Sequence, residues 1–68
     1  MQLSARNQLA GTIVSINRGE AIANVELDVA GQRLVASITV EAVEQLGLEP
    51  GRDVIAVIKA SDVMVGVP

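Results

Sequence analysis

No cysteine, histidine, phenylalanine, tyrosine or tryptophan occurs among the 68 residues of this chain, and lysine occurs once, at Lys59. Each absence removes a class of function. Without cysteine there is no disulfide, and without cysteine or histidine the usual zinc ligands are missing. No metal is therefore expected by direct side-chain coordination. The commonest general base and the strongest nucleophile go with them. Eight acidic residues remain, but they form no paired-carboxylate motif, and no glycine-rich phosphate loop is present. The chain reads as a non-enzyme. The lack of aromatics removes the stacking platforms that single-stranded nucleic acids use. A formal net charge of −3 argues against a general polyanion binder. No apolar stretch approaches the roughly 18 residues of a membrane span. The N-terminus lacks an apolar signal core, so the expected location is cytoplasmic.

What is present is aliphatic. Half the residues are apolar; of these 34, seventeen are Val or Ile and nine are Ala. Such a composition favours strands. A chain this short buries only about 60% of its unfolded surface, and small folds need a staple. With disulfides and zinc excluded, self-association is the staple that remains.

The order of elements follows from periodicity and turn residues. LAGTIVSIN, 9–17, reads as a first strand, with Gly11 marking a bulge or a close backbone approach. Asn17-Arg18-Gly19-Glu20 supplies a turn. AIANVELDV, 21–29, alternates cleanly: Ala23, Val25, Leu27 and Val29 share one face. Ala30-Gly31 turns the chain into QRLVASIT, 32–39, whose inner face is Leu34, Ala36 and Ile38. Thr39 caps a short helix that carries Val40, Val43 and Leu46 and stops at Gly47. After the turn at Glu49-Pro50-Gly51-Arg52, DVIAVIKA, 53–60, reads as a fourth strand and DVMVGVP, 62–68, as a fifth. The last two are apolar at successive positions, 54–58 and 63–65. A strand apolar on both faces is covered on both, and so small a domain has one core. The second face is expected to meet another subunit, or part of a swapped dimer. Three strands, a helix and two strands is the order of an OB-type barrel. The expected fold is all-β: a five-stranded OB-like barrel, residues 1–68 forming a single domain, with one short helix between strands 3 and 4.

Donors are the only groups that could carry chemistry. SARNQ at 4–8 sets a hydroxyl, Ser4, two residues from a guanidinium, Arg6, with no acid beside them. KAS at 59–61 offers an ammonium, a backbone N–H at Ala60 and a hydroxyl. Thr39 places a hydroxyl at the positive end of a helix. Together they suit a tetrahedral oxyanion, which wants cations, hydroxyls and backbone N–H groups. Each also has a plain structural reading. Lys59 snorkels to water at a strand end, Arg6 is solvated in a loose N-terminus, Thr39 is a helix cap, and Ser4, Asn7 and Ser61 are polar loop residues.

SARNQLAGTI at 4–13, VASIT at 35–39 and LGLEPGRDVIAVIKASDV at 46–63, in that order, resemble the molybdenum–pterin-binding proteins, or molbindins. The same unit occurs as the Mop or TOBE domain of molybdate-responsive regulators and molybdate transporter ATPases. The resemblance covers nearly the whole chain. It implies an OB-like barrel that binds molybdate or tungstate between subunits, in a homohexamer built as a trimer of dimers. Carried onto the matching segments, the anion contacts fall on Ser4, Arg6, Thr39, Lys59, Ala60 through its backbone, and Ser61. Asn7 is a secondary candidate. Arg18, in the polar turn, is the candidate for a second class of site on the threefold axis that the resemblance implies. On this reading the chain is a free-standing intracellular store or buffer of oxyanion. Two other classes stay open: a small OB-type nucleic-acid-binding module, and a purely structural oligomerisation domain.

Overall fold

A computed structural model describes residues 1–68. One antiparallel sheet dominates it, built from β1 (Asn7–Arg18), β2 (Ile22–Val29), β3 (Gln32–Thr39) and β4 (Asp53–Ile58), with a helix α1 (Val40–Gln45) between β3 and β4. The spatial order is β3-β2-β1-β4. Twelve-residue β1 is the spine: its first half pairs with β4 and its second half with β2.

Two expectations are corrected. Residues 62–68 form no strand: the chain leaves β4, makes a short 3-10 turn at Ala60–Asp62, and continues without ladder bonds. The sheet therefore has four strands rather than five, and it is not closed into a barrel. β4 also ends at Ile58, so Lys59 and Ala60 lie outside it. The apolar run at 63–65 fits a buried strand, but its pairing partner is not supplied within the chain. Beyond these points, β1 runs longer than 9–17 at both ends.

The hairpin of β2 and β3 follows from two residues. Ala30 and Gly31 both take positive φ, 51° and 84°, which a two-residue turn needs to match the right-handed twist of its strands. Alanine does this at a cost of roughly 1 kcal/mol. Ala30→Asn keeps a side chain that tolerates this conformation, and is expected to raise stability by about 0.5–1 kcal/mol, a few degrees in a chain of this size. A thermal melt followed by far-ultraviolet circular dichroism measures it; a lower midpoint would show that Ala30 makes a contact worth more than its strain.

Gly11 is a close approach. A Cβ there would sit 2.9 Å from the Asp28 carbonyl oxygen and 2.9 Å from Val29 Cγ2. The bulge expected near it falls instead at Val14, where the β1–β2 register shifts between Ile13 and Ser15.

At the helix, Thr39 Oγ1 accepts a hydrogen bond from Ala42 N–H at 3.0 Å, the capping role read from its sequence. Gly47, at φ 63°, ends the helix. Leu48 N–H donates to Val43 O at 3.0 Å and Gly47 N–H to Glu44 O at 3.1 Å, the paired bonds of a Schellman motif. Arg52 adds a second clasp: its Nη1 donates to Leu46 O at 3.0 Å and Gly47 O at 2.8 Å. Leu46, which recurs with Val40 and Val43 at helical spacing, is the exposed C-cap.

The fully buried core is five residues, Ile13, Ala23, Val25, Leu27 and Val43. Around it pack Leu34, Ala36 and Ile38 of β3 and Val54 and Ala56 of β4, among others. Along β4, exposure alternates: Val54, Ala56 and Ile58 turn inward, while Ile55 and Val57 lie on the open face.

Candidate functional site

The β1–β4 register decides which donors meet. Asn7 pairs with Ile58, so Arg6 and Lys59 emerge from adjacent strands one step beyond that pair. Ser4 precedes Arg6, and Ala60 and Ser61 follow Lys59, so five of the six principal candidates gather at one end of the sheet. The secondary candidate Asn7 is the half-buried first residue of β1 at that end. Gln8, which the sequence did not single out, shapes the approach: its Nε2 donates to Ala5 O at 3.2 Å and ties back the turn that presents Arg6. An amide three residues after a backbone carbonyl is the local signal for such a tie.

Thr39 lies elsewhere. It ends β3 opposite Ile22, at the end of the sheet where Arg18 pairs with Ala23. Arg18 and Thr39 therefore share the far end of the ladder, separated from Arg6 and Lys59 along the twelve-residue length of β1. The strand register of one chain does not unite the six residues.

The electrostatics at the first end are simple. The chain's one ion pair joins Arg33 to Glu26, on β3 and β2. Neither Arg6 nor Lys59 contacts a carboxylate, and neither side chain has a hydrogen-bond acceptor within the chain. Asp62 stands nearby in sequence, but its backbone N–H is used locally, donating to Lys59 O at 2.9 Å. Val63 N–H donates to Ala60 O at 3.3 Å. Ala60 and Ser61, as the first residues of the 3-10 turn, have N–H groups without an intrahelical partner. The cluster thus offers two cations, two hydroxyls and two backbone N–H groups, all exposed.

Thr39 reconciles its two readings. Its oxygen already accepts from Ala42 N–H, which leaves the hydroxyl proton free to donate. Capping and anion contact are compatible in the same side chain.

Comparison with known proteins gives a consistent picture. The TOBE domain family matches residues 3–65. A probable molybdenum-pterin-binding protein of Haemophilus influenzae is 47% identical over 68 residues, covering 98% of this chain and 99% of the relative. Molybdenum-pterin-binding protein 1 of Clostridium pasteurianum is 44% identical over 66 residues, covering 96% of this chain and 97% of its own length. Among solved structures, the molybdate-binding protein of Sporomusa ovata superposes with a TM-score of 0.94 at 39% identity, covering 98% of this chain and all of its own. A structure of the cytoplasmic molybdate-binding protein ModG with molybdate bound gives 0.93 at 48% identity; it covers this whole chain, which spans 49% of ModG.

Proposed function

The chain belongs to the TOBE-domain family, among its molybdenum-pterin-binding members, and from that premise we propose that it binds molybdate or tungstate without transforming it. The observation that carries the reading is the meeting of Arg6 and Lys59 at the open end of the β1–β4 ladder, with no carboxylate on either. Two unpaired cations side by side repel unless an anion joins them. Ser4, Ser61 and the Ala60 N–H then supply neutral donors around it. Thr39 completes the set from a second copy, because its own chain holds it at the other end of the sheet. The site is therefore one between subunits, in a homo-oligomer that we read as a hexamer of three dimers. The role is an intracellular store or buffer for the anion. Relatives that bind molybdate support the ligand, and one of them is described as cytoplasmic. No helix of the chain is long and apolar enough to cross a membrane.

Selectivity follows from the donor chemistry. Arg, Lys and backbone N–H groups only donate. A fully deprotonated tetrahedral dianion satisfies them. Monohydrogen phosphate brings a proton that only a hydroxyl such as Ser4 or Ser61 can accept, and a hydroxyl turned to accept it no longer donates to the anion, a loss of about 0.5–1.5 kcal/mol. Sulfate has no such proton and is discriminated by size. Molybdate and tungstate at 100 times their dissociation constant should each add about 2.7 kcal/mol per site, a rise in melting midpoint of about 10 °C or more. Sulfate should do much less, and phosphate least. A dye-reported melt is the measurement, since the chain has no intrinsic fluorophore. Equal shifts with all four anions would reduce the site to a generic one and overturn the proposal.

A further inference from the structure

The two halves of the donor cluster are held very differently. Lys59, Ala60 and Ser61 leave β4 directly into a turn with its own bonds: Asp62 N–H donates to Lys59 O at 2.9 Å and Val63 N–H to Ala60 O at 3.3 Å. Ser4, Ala5 and Arg6 have no such support. No residue from 1 to 6 takes part in a backbone hydrogen bond. The single hydrogen bond to that segment is the one from Gln8 Nε2 to Ala5 O, 3.2 Å long. Its anchor is firm, because Gln8 is the second residue of β1 and pairs with Val57. Arg6 lies between the anchor and the carbonyl that it holds. Without an anion the guanidinium of Arg6 and the ammonium of Lys59 repel one another, and no carboxylate pairs with either. Chain ends stay loose unless tied down, so both effects swing the segment outward. Only the Gln8 amide opposes them.

We propose that Gln8 is a positioning residue for the oxyanion: it holds Ser4 and Arg6 beside Lys59 before the anion arrives, a role that rests on the function proposed above. Gln8 acts through Arg6 and does not touch the ligand. Its residue type suits the task. An amide donates to a carbonyl without bringing charge. A lysine here would add a third cation to the cluster, and a glutamate would pair with Arg6 in competition with the anion. The consequence is kinetic as well as energetic. When only a fraction of copies has Arg6 in place, the apparent dissociation constant is the intrinsic one divided by that fraction. Loss of the tie therefore slows association, since the segment must return before it can bind. Once the anion is seated it fixes Arg6 itself, so release hardly changes. Loss of a group in direct contact, such as Lys59, acts chiefly on release.

Gln8→Met tests this, because it keeps the length of the side chain and removes the donor. Gln8 is exposed, so the melting midpoint should stay where it is. The first measurement uses no anion. Trypsin cleaves after Arg6, and intact mass follows the loss of residues 1–6. Cleavage of a transiently opened segment tracks the population of the open form, so it should run about three- to tenfold faster in Gln8→Met, the range of one exposed hydrogen bond. Cleavage after Arg33, in β3, should be unchanged. The second measurement uses molybdate. Equilibrium dialysis gives the dissociation constant, and dilution of the loaded protein into excess tungstate gives the release rate. Gln8→Met should weaken binding about three- to tenfold with its release rate near that of wild type, whereas Lys59→Ala should release faster. Equal cleavage after Arg6 in the two proteins, or equal affinity, would overturn the positioning role. A faster release from Gln8→Met that accounts for all its lost affinity would overturn it too, since Gln8 would then be a direct ligand. A wild-type chain that binds no molybdate would overturn the function proposed above and the role of Gln8 with it; a wild type that binds, matched by Gln8→Met, would overturn the positioning role alone.

Discussion

Arg6→Ala and Lys59→Ala are each expected to weaken molybdate binding about tenfold or more. A hydrogen bond to a charged group contributes about 1.5–3 kcal/mol net, and 1.4 kcal/mol is one decade of affinity. The two residues share one ligand, so their losses need not add in the double variant. Equilibrium dialysis with molybdate measures both. The informative control is Arg33→Ala. It removes one positive charge, as the other two do, and changes the net charge from −3 by the same amount. Arg33, however, is engaged with Glu26 across the β2–β3 pair. If binding depended on the overall field, all three variants would weaken alike. If it depends on contact at the end of β1 and β4, Arg33→Ala leaves affinity unchanged. The acidic balance of the chain makes the second outcome the expected one, since a net negative protein does not attract a dianion at long range. Affinity must come from short charge-assisted bonds. Unchanged binding in both Arg6→Ala and Lys59→Ala would remove these residues from the site.

How far such a site shows in sequence depends on which kind of information places each residue. The turn at Ala30-Gly31, the Thr39 cap and the Gly47 stop are local, and local chemistry fixes them; each lies where the residues alone put it. The inward face of β2 is equally legible, because strict alternation at Ala23, Val25 and Leu27 leaves one way to bury them. The neighbourhood of Arg6 and Lys59 is different. They are 53 positions apart, and only the Asn7–Ile58 register brings them together. Nothing local encodes that register, so the closeness of these two residues follows from the fold and not from their spacing. Arg52 was read only as part of a turn, and its clasp on Leu46 and Gly47 was missed. A basic residue shortly after a glycine-terminated helix was the available signal. The missing fifth strand is the converse case. Val63, Met64 and Val65 have strand composition, but composition states only that a segment wants to be covered. Whether the cover comes from the same chain is a property of topology.

The stability of so small a core rests on very few side chains, and Ile13→Ala is the substitution expected to hurt it most. Ile13 is 2% exposed and is the largest of the fully buried side chains. It also anchors the join between sheet halves: its N–H donates to Arg52 O at 3.0 Å, and its carbonyl accepts from Gly51 N–H at 2.8 Å. Those backbone bonds survive the change to alanine, so the loss is one of packing. Truncation of a buried isoleucine costs about 2–5 kcal/mol. Domains of this length hold about 0.05–0.15 kcal/mol per residue, so the change removes a large part of the total. Urea titration followed by circular dichroism should show the midpoint falling by half or more. Ile55→Ala provides the comparison. Ile55 is 52% exposed on the outer face of β4, and within a single chain its truncation should cost well under 1 kcal/mol, as surface changes do. If the assembled protein covers that face, Ile55→Ala will cost far more than its exposure allows, and the excess will shrink with dilution as subunits separate. A cost that is small at every protein concentration would show that the outer face of β4 stays in water. It would also remove the reading of residues 54–58 as a strand covered on both faces.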